Sequence, residues 1–255
     1  MKIQLLLPLL FLFVSCATEL DFKMPINRMM TPETTGKTLG FEAQLTYVGS
    51  EKVSLARVAD FMFSSATITT AEGIDRSRGL GTNAAIGIHE RVDFYLSDSS
   101  DTSMTFGAKF QLLGSSYDKR EAGSFSMAIA GGYGSGDSDE GRIVTDDNTE
   151  YTTEVQLTTF EYMLLLGYRA NKNIMVYLNL FRSLHKVEAA LKQNGIATKN
   201  VDGDSEMKAA NLGIKLSSSD GNGFGHIELG YGYGNYEDGL KQHALTYAFS
   251  IGTGF

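Results

Sequence analysis

The chain has no tryptophan, one cysteine and three prolines among its 255 residues. A single cysteine excludes an internal disulfide and a cysteine-rich zinc site. Basic residues are in deficit: 22 Lys and Arg face 30 Asp and Glu, for a formal charge of −8. The basic stripe with which nucleic-acid binders neutralise phosphates is therefore missing. Long apolar runs are missing too. Past the first turn of sequence, no stretch reaches the roughly 18 apolar residues that a membrane-crossing helix needs.

What is present begins with MKIQLLLPLLFLFVSCATEL. A positive Lys2, an apolar core over residues 5–14 and the small residues Ser15, Cys16 and Ala17 read as a signal peptide. Phe13-Val14-Ser15-Cys16 resembles the lipobox of bacterial lipoproteins, although Phe13 stands where Leu is usual. The resemblance implies that residues 1–15 are removed and that Cys16 becomes the mature N-terminus and the lipid attachment site. Ser15-Cys16-Ala17 alternatively fits the small-x-small rule of ordinary signal peptidase. Loss of residues 1–15 removes Lys2, which takes the charge to −8 − 1 = −9. Residues 16–36 show no period and hold Pro25 and Pro32; they read as a periplasmic linker.

From residue 37 onward a period of two recurs, the mark of strands with one apolar face. Leu39, Phe41, Ala43, Leu45 and Tyr47 alternate with Gly40, Glu42, Gln44 and Thr46. Comparable stripes run through Ile86, Phe94, Phe106, Phe110, Ile129, Leu164, Val176, Ile214, Ile227 and Phe249. They give about ten strands, with eight or twelve as alternatives. The odd-numbered connections (roughly 49–79, 97–103, 134–150, 187–206 and 235–242) are mostly long and polar, and the even ones generally short. That asymmetry and the strand length predict an all-β, closed, antiparallel up-and-down transmembrane β-barrel over residues 37–255. Residues 53–63 fit a short helix or an extra hairpin equally well. Asn194-Gly195 suggests a tight hairpin that would carry strands seven and eight beyond a bilayer.

The direction of the apolar face decides the class. Apolar-in makes a periplasmic lipoprotein barrel that binds a hydrophobic ligand. Apolar-out places Gly40, Gly81, Gly107, Gly213, Gly230 and Gly232 in a crowded lumen. A solvent-facing strand has no reason to prefer glycine, so apolar-out is favoured. Tyr47, Tyr133, Tyr168, Tyr233 and Tyr247 then suit an interfacial girdle.

The chain closes on ALTYAFSIGTGF, where Tyr247, Phe249, Ile251 and Phe255 alternate with small residues. This resembles the C-terminal assembly signal of Gram-negative outer-membrane β-barrel proteins, over about residues 38–255. The resemblance implies insertion by the barrel assembly machinery. It also implies contact with outer-membrane lipid and lipopolysaccharide, extracellular long loops and periplasmic termini.

Inward charges Glu42, Lys109, Lys215 and Glu228 balance in sign and form a candidate lumen network. Ten strands leave a narrow polar lumen, not a wide channel as in porins. His185 and His243, with Ser183 and Asp238 nearby in sequence, allow the alternative of a rim-located hydrolase, but no spacing is specific to one. Asp202-Gly203-Asp204-Ser205-Glu206 and Asp137-Ser138-Asp139-Glu140 do not complete a calcium loop. No metal or cofactor is expected. The expected function is that of a non-enzymatic barrel with a structural, surface-interaction or minor solute-passage role.

Overall fold

The computed structural model describes residues 19–57, 73–99, 102–144, 149–236 and 239–254. Cys16, Asp238 and Phe255 lie outside the described residues. Eleven strands run in chain order: β1 Glu19–Pro25, β2 Phe41–Arg57, β3 Gly73–His89, β4 Val92–Ser99, β5 Met104–Leu113, β6 Ser124–Val144, β7 Glu150–Asn171, β8 Ile174–Gln193, β9 Ile196–Ser217, β10 Gly223–Tyr236 and β11 Lys241–Gly254. Strands β2 to β11 pair antiparallel with their chain neighbours, and β11 pairs back with β2. The ring is thus closed by ten strands.

The apolar stripes point outward. One row of cross-strand partners runs Leu80, Tyr47, Phe249, Ile227, Ile214, Val176, Tyr168 and Phe125, on eight successive strands. All except the half-buried Tyr47, which stacks on Phe249 at 5.1 Å, are exposed. Of the residues resembling an assembly signal, Tyr247, Phe249 and Ile251 lie on this outer face. The inward set is buried and of two kinds: polar residues including Thr46, Asp93, Lys109, Glu161, Arg169, Asn179, Asn211, Lys215 and Glu228, and an apolar cluster that includes Phe22, Ile26, Val155, Leu157, Leu165, Phe181 and Met207. Apolar-out is the arrangement observed, and the apolar-in alternative falls.

The length expected in loops resides largely in strands. At one end β6 to β9, of 20 to 22 residues, rise past the apolar stripes; we call this the tall end. Residues 187–206, expected as a loop, are β8 and β9 joined by Asn194 and Gly195 at φ 49° and 82°. Those two left-handed residues make the tight turn that matches strand twist. Residues 53–57 are strand, not helix; the remainder of 53–63 lies outside the described residues. At the opposite, turn end, β3–β4 and β7–β8 close in two residues each.

The expected linker is not a linker. Glu19–Pro25 forms β1, which pairs with the tall half of β2 from Glu19↔Arg57 to Pro25↔Ser50. Phe22 and Met24 of β1 are buried, as is nearly every residue from Ile26 to Thr35. The chain enters at the tall end, descends through the ring and turns at residues 37–40 into β2. Glu19 and Gly254 therefore lie at opposite ends of the ring. The inner segment adds one traverse to an even number of strands. In β1 a period of two is present, Phe22 and Met24 buried against half-buried Asp21 and Lys23, but it is too short to stand out; residues 26–36, bonded on several sides by side chains, have no need to alternate.

Closure at the seam is short. β2 meets β11 only over Glu42–Tyr47 and Phe249–Gly254. Above that, Gly49 approaches the inward side chain of Thr246, and Glu51 approaches Gly234. The tall half of β2 therefore tucks inside β10 and β11, carrying β1 into the lumen.

Candidate functional site

The lumen holds the densest polar chemistry in the molecule, and the inner segment 26–36 is its centre. The segment lacks regular structure, so its backbone groups need partners from the wall. Glu228 on β10 supplies the largest share. Its carboxylate accepts from the Asn27 side chain at 3.1 Å and from the backbone amides of Arg28 at 3.1 Å and Met29 at 3.2 Å. The Tyr177 hydroxyl donates to the same group at 3.0 Å. Asn211 donates to the Ile26 carbonyl at 2.8 Å, and Gln44 to that of Met29 at 2.9 Å. Close approach here requires glycine in the wall. A Cβ on Gly230 would lie 2.7 Å from the Asn27 amide nitrogen, and one on Gly232 would lie 2.8 Å from Ile26.

The charged side chains of the segment are also matched. Arg28 pairs with Glu161 of β7 at 2.8 Å and sits 4.6 Å over the Phe181 ring. Tyr95 donates to Glu161 at 3.0 Å. Glu33 and Arg169 form a fully buried two-pronged pair, one prong Nε to Oε1 at 2.7 Å. Lys109 donates to the Glu33 carbonyl at 2.6 Å and pairs with Asp93 at 3.2 Å. Asp93 accepts from the Thr35 amide and hydroxyl, and Gln111 from those of Thr34. Towards the turn end the Tyr117 amide donates to the Thr34 carbonyl.

All four residues of the expected charge network point inward, yet they do not form one network. Lys215 pairs with Glu42 at 3.1 Å and lies 4.1 Å over the Tyr117 ring. Lys109 pairs with Asp93, and Glu228 binds neutral donors of the inner segment. What sequence reasoning missed is this segment: Asn27, Arg28, Glu33, Thr34 and Thr35. The available signals were Arg28 and Glu33, charges of each sign, and the short alternation of Leu20, Phe22 and Met24 with Glu19, Asp21 and Lys23, in a stretch otherwise read as a spacer.

No model of a known protein family matches this chain. A search of curated proteins also finds no match.

The structure does not bring His185 and His243 together. His185 is buried in the lumen between Ser183 at 2.8 Å and the Thr159 hydroxyl at 2.9 Å. His243 lies on the outer face, bonded to the Tyr231 hydroxyl at 2.9 Å. They occupy opposite sides of the wall. Asp202, Asp204 and Glu206 lie on β9, not in a loop, and among the described residues no group of three or more His, Cys, Asp or Glu converges as a metal site.

One titrating group sits above the apolar stripes. On β3 the outward row passes from Leu80 to Arg78 and Arg76, and Glu51 is the cross-strand partner of Arg76. Burial pushes the Glu51 carboxyl up to about 7, with Arg76 pulling it the other way. Neither of its oxygens has a hydrogen-bond partner among the described residues.

Proposed function

We propose that this chain is a non-enzymatic outer-membrane β-barrel whose lumen is occupied by its own N-terminal segment. Its role is structural or surface-interacting, not solute passage. The carrying observation is the pairing of a closed ring, apolar and exposed outside, with a filled interior in which nearly all of residues 26–35 are buried and bonded to polar groups of the wall. A soluble monomer rarely exposes contiguous apolar area beyond a few hundred Å², whereas a closed strand ring satisfies its backbone within hydrocarbon.

The export-type N-terminus supports the same reading, and so does the alternating aromatic C-terminus with its likeness to an assembly signal. Lipid and lipopolysaccharide are the partners that such a surface implies. With the tall end outward, β6 to β9 stand above the outer leaflet. The N-terminal end of β1 then opens to the cell exterior, and acylation of Cys16, if the lipobox is used, would anchor that end there.

Membrane fractionation with boiled and unboiled gel samples tests the reading. Detergent-dependent extraction and a heat-dependent mobility shift are expected. Fully soluble protein with no shift would overturn it.

A further inference from the structure

The wall is uneven above β4 and β5. β4 ends at Ser99, the partner of Gly81, while β3 continues through eight further residues to Gly73. β5 starts at Met104, the partner of Ser135, while β6 continues to Val144. Between these taller flanks lies a cavity of about 480 Å³. Its lining joins the two faces of the wall. Leu45 and Leu80 belong to the outer stripes; Phe22, Val155 and Leu157 are buried inside the ring. The floor is therefore apolar and the mouth opens towards the outer apolar surface.

Among the described residues the rim carries one sign of charge: Asp21, Asp98 and Asp137 line the cavity, and that lining includes no basic residue. Asp21 is paired with Lys52 at 2.7 Å. Asp98 and Asp137 form no ion pair among the described residues, and both are exposed. An apolar floor under two uncompensated carboxylates complements a molecule with an alkyl tail and a cationic head.

We propose that this lateral window binds one small cationic amphiphile, the alkyl part against Phe22, Val155 and Leu157 and the ammonium between Asp98 and Asp137. It rests on the outer-membrane reading, because the mouth is reached from the apolar outer surface. The site lies beside the inner segment and is independent of its contacts with Glu228.

Because the chain has no native tryptophan, two single-tryptophan variants in lipid vesicles make the test. Leu80→Trp reports at the mouth and Leu216→Trp reports on the outer stripe of β9. A nitroxide-labelled decylammonium is titrated against nitroxide-labelled decanoate. Expected is saturable quenching of Leu80→Trp by the cation, at least fivefold tighter than by decanoate on the order of one lost charge pair, and only linear quenching of Leu216→Trp. Asp98→Asn with Asp137→Asn should abolish the preference. Equal quenching by both probes, or quenching at Leu80→Trp no stronger than at Leu216→Trp, overturns the site. No quenching at Leu216→Trp with either probe instead overturns the membrane reading, and the site with it.

Discussion

Glu228 and Asn27, 201 positions apart in the chain, meet inside the ring through a 3.1 Å hydrogen bond. The same carboxylate also holds two consecutive backbone amides. Glu228→Ala would leave these buried donors without an acceptor, each costing about 1–3 kcal/mol. Expected is a loss of about 3 kcal/mol in urea unfolding from lipid vesicles, and on the order of 1 kcal/mol for Glu228→Gln, which keeps one acceptor oxygen. Equal stability of Glu228→Ala and the parent protein would count against the inner segment being held there.

The Glu33–Arg169 pair joins the same segment to β7 with no exposed surface on either side chain. Removing one partner strands a buried charge, a loss of about 3–5 kcal/mol. Glu33→Leu and Arg169→Met should each cost that much, and the double variant should recover most of it. A double-mutant cycle measures this directly; additive losses would show that the two groups do not interact.

Glu51 makes stability depend on pH. Its carboxyl is raised from 4.5 in the unfolded chain to about 7 in the fold. The folded protein therefore holds the proton more tightly. This contribution is fully present below pH 4.5 and is lost as pH rises through about 7. Unfolding midpoints measured between these limits should fall with rising pH, and Glu51→Gln should flatten that part of the profile. An identical slope in the variant would assign the dependence to other groups.

The course of β1 sets the sidedness of the N-terminus. A short epitope placed before Glu19 should be reached by antibody on intact cells, together with one inserted at the Asn194–Gly195 turn. One inserted after Asn173, in the β7–β8 turn, should not be reached until the outer membrane is opened. Labelling of the N-terminal epitope together with the Asn173 epitope, and not with the Asn194 epitope, would reverse the direction in which the chain enters.

The wall was legible in the sequence because it is built by simple alternation. Leu45, Phe94, Phe110, Leu164, Ile214 and Phe249 needed only a period of two and enough glycine opposite them to choose the outward direction. Asn194-Gly195 was legible because its two residues tolerate the left-handed backbone that the turn requires. The inner segment was not legible. Its fixing bonds run from Asn27 to Glu228, Glu33 to Arg169 and Thr35 to Asp93, each a contact between distant positions. Ion pairing was legible only in part for the same reason: Lys215 and Glu42 do pair, but the partner of Lys109 depends on which residues the lumen receives. The strand extensions were missed because Asp202, Asp204 and Glu188 lie above the apolar stripes, where polar side chains on strands look like loops.

The most direct measurement is a cross-link across the lumen. Ile26→Cys with Gly232→Cys places two thiols where Ile26 now touches the β10 backbone. The protein should be expressed in its native membrane, oxidised mildly and digested for mass spectrometry. A peptide bridged between positions 26 and 232, in protein that keeps a heat-dependent mobility shift, is the expected result. If both thiols stay freely alkylable while that shift is retained, the ring is closed but its own N-terminal segment does not fill it, and the account is wrong at its centre.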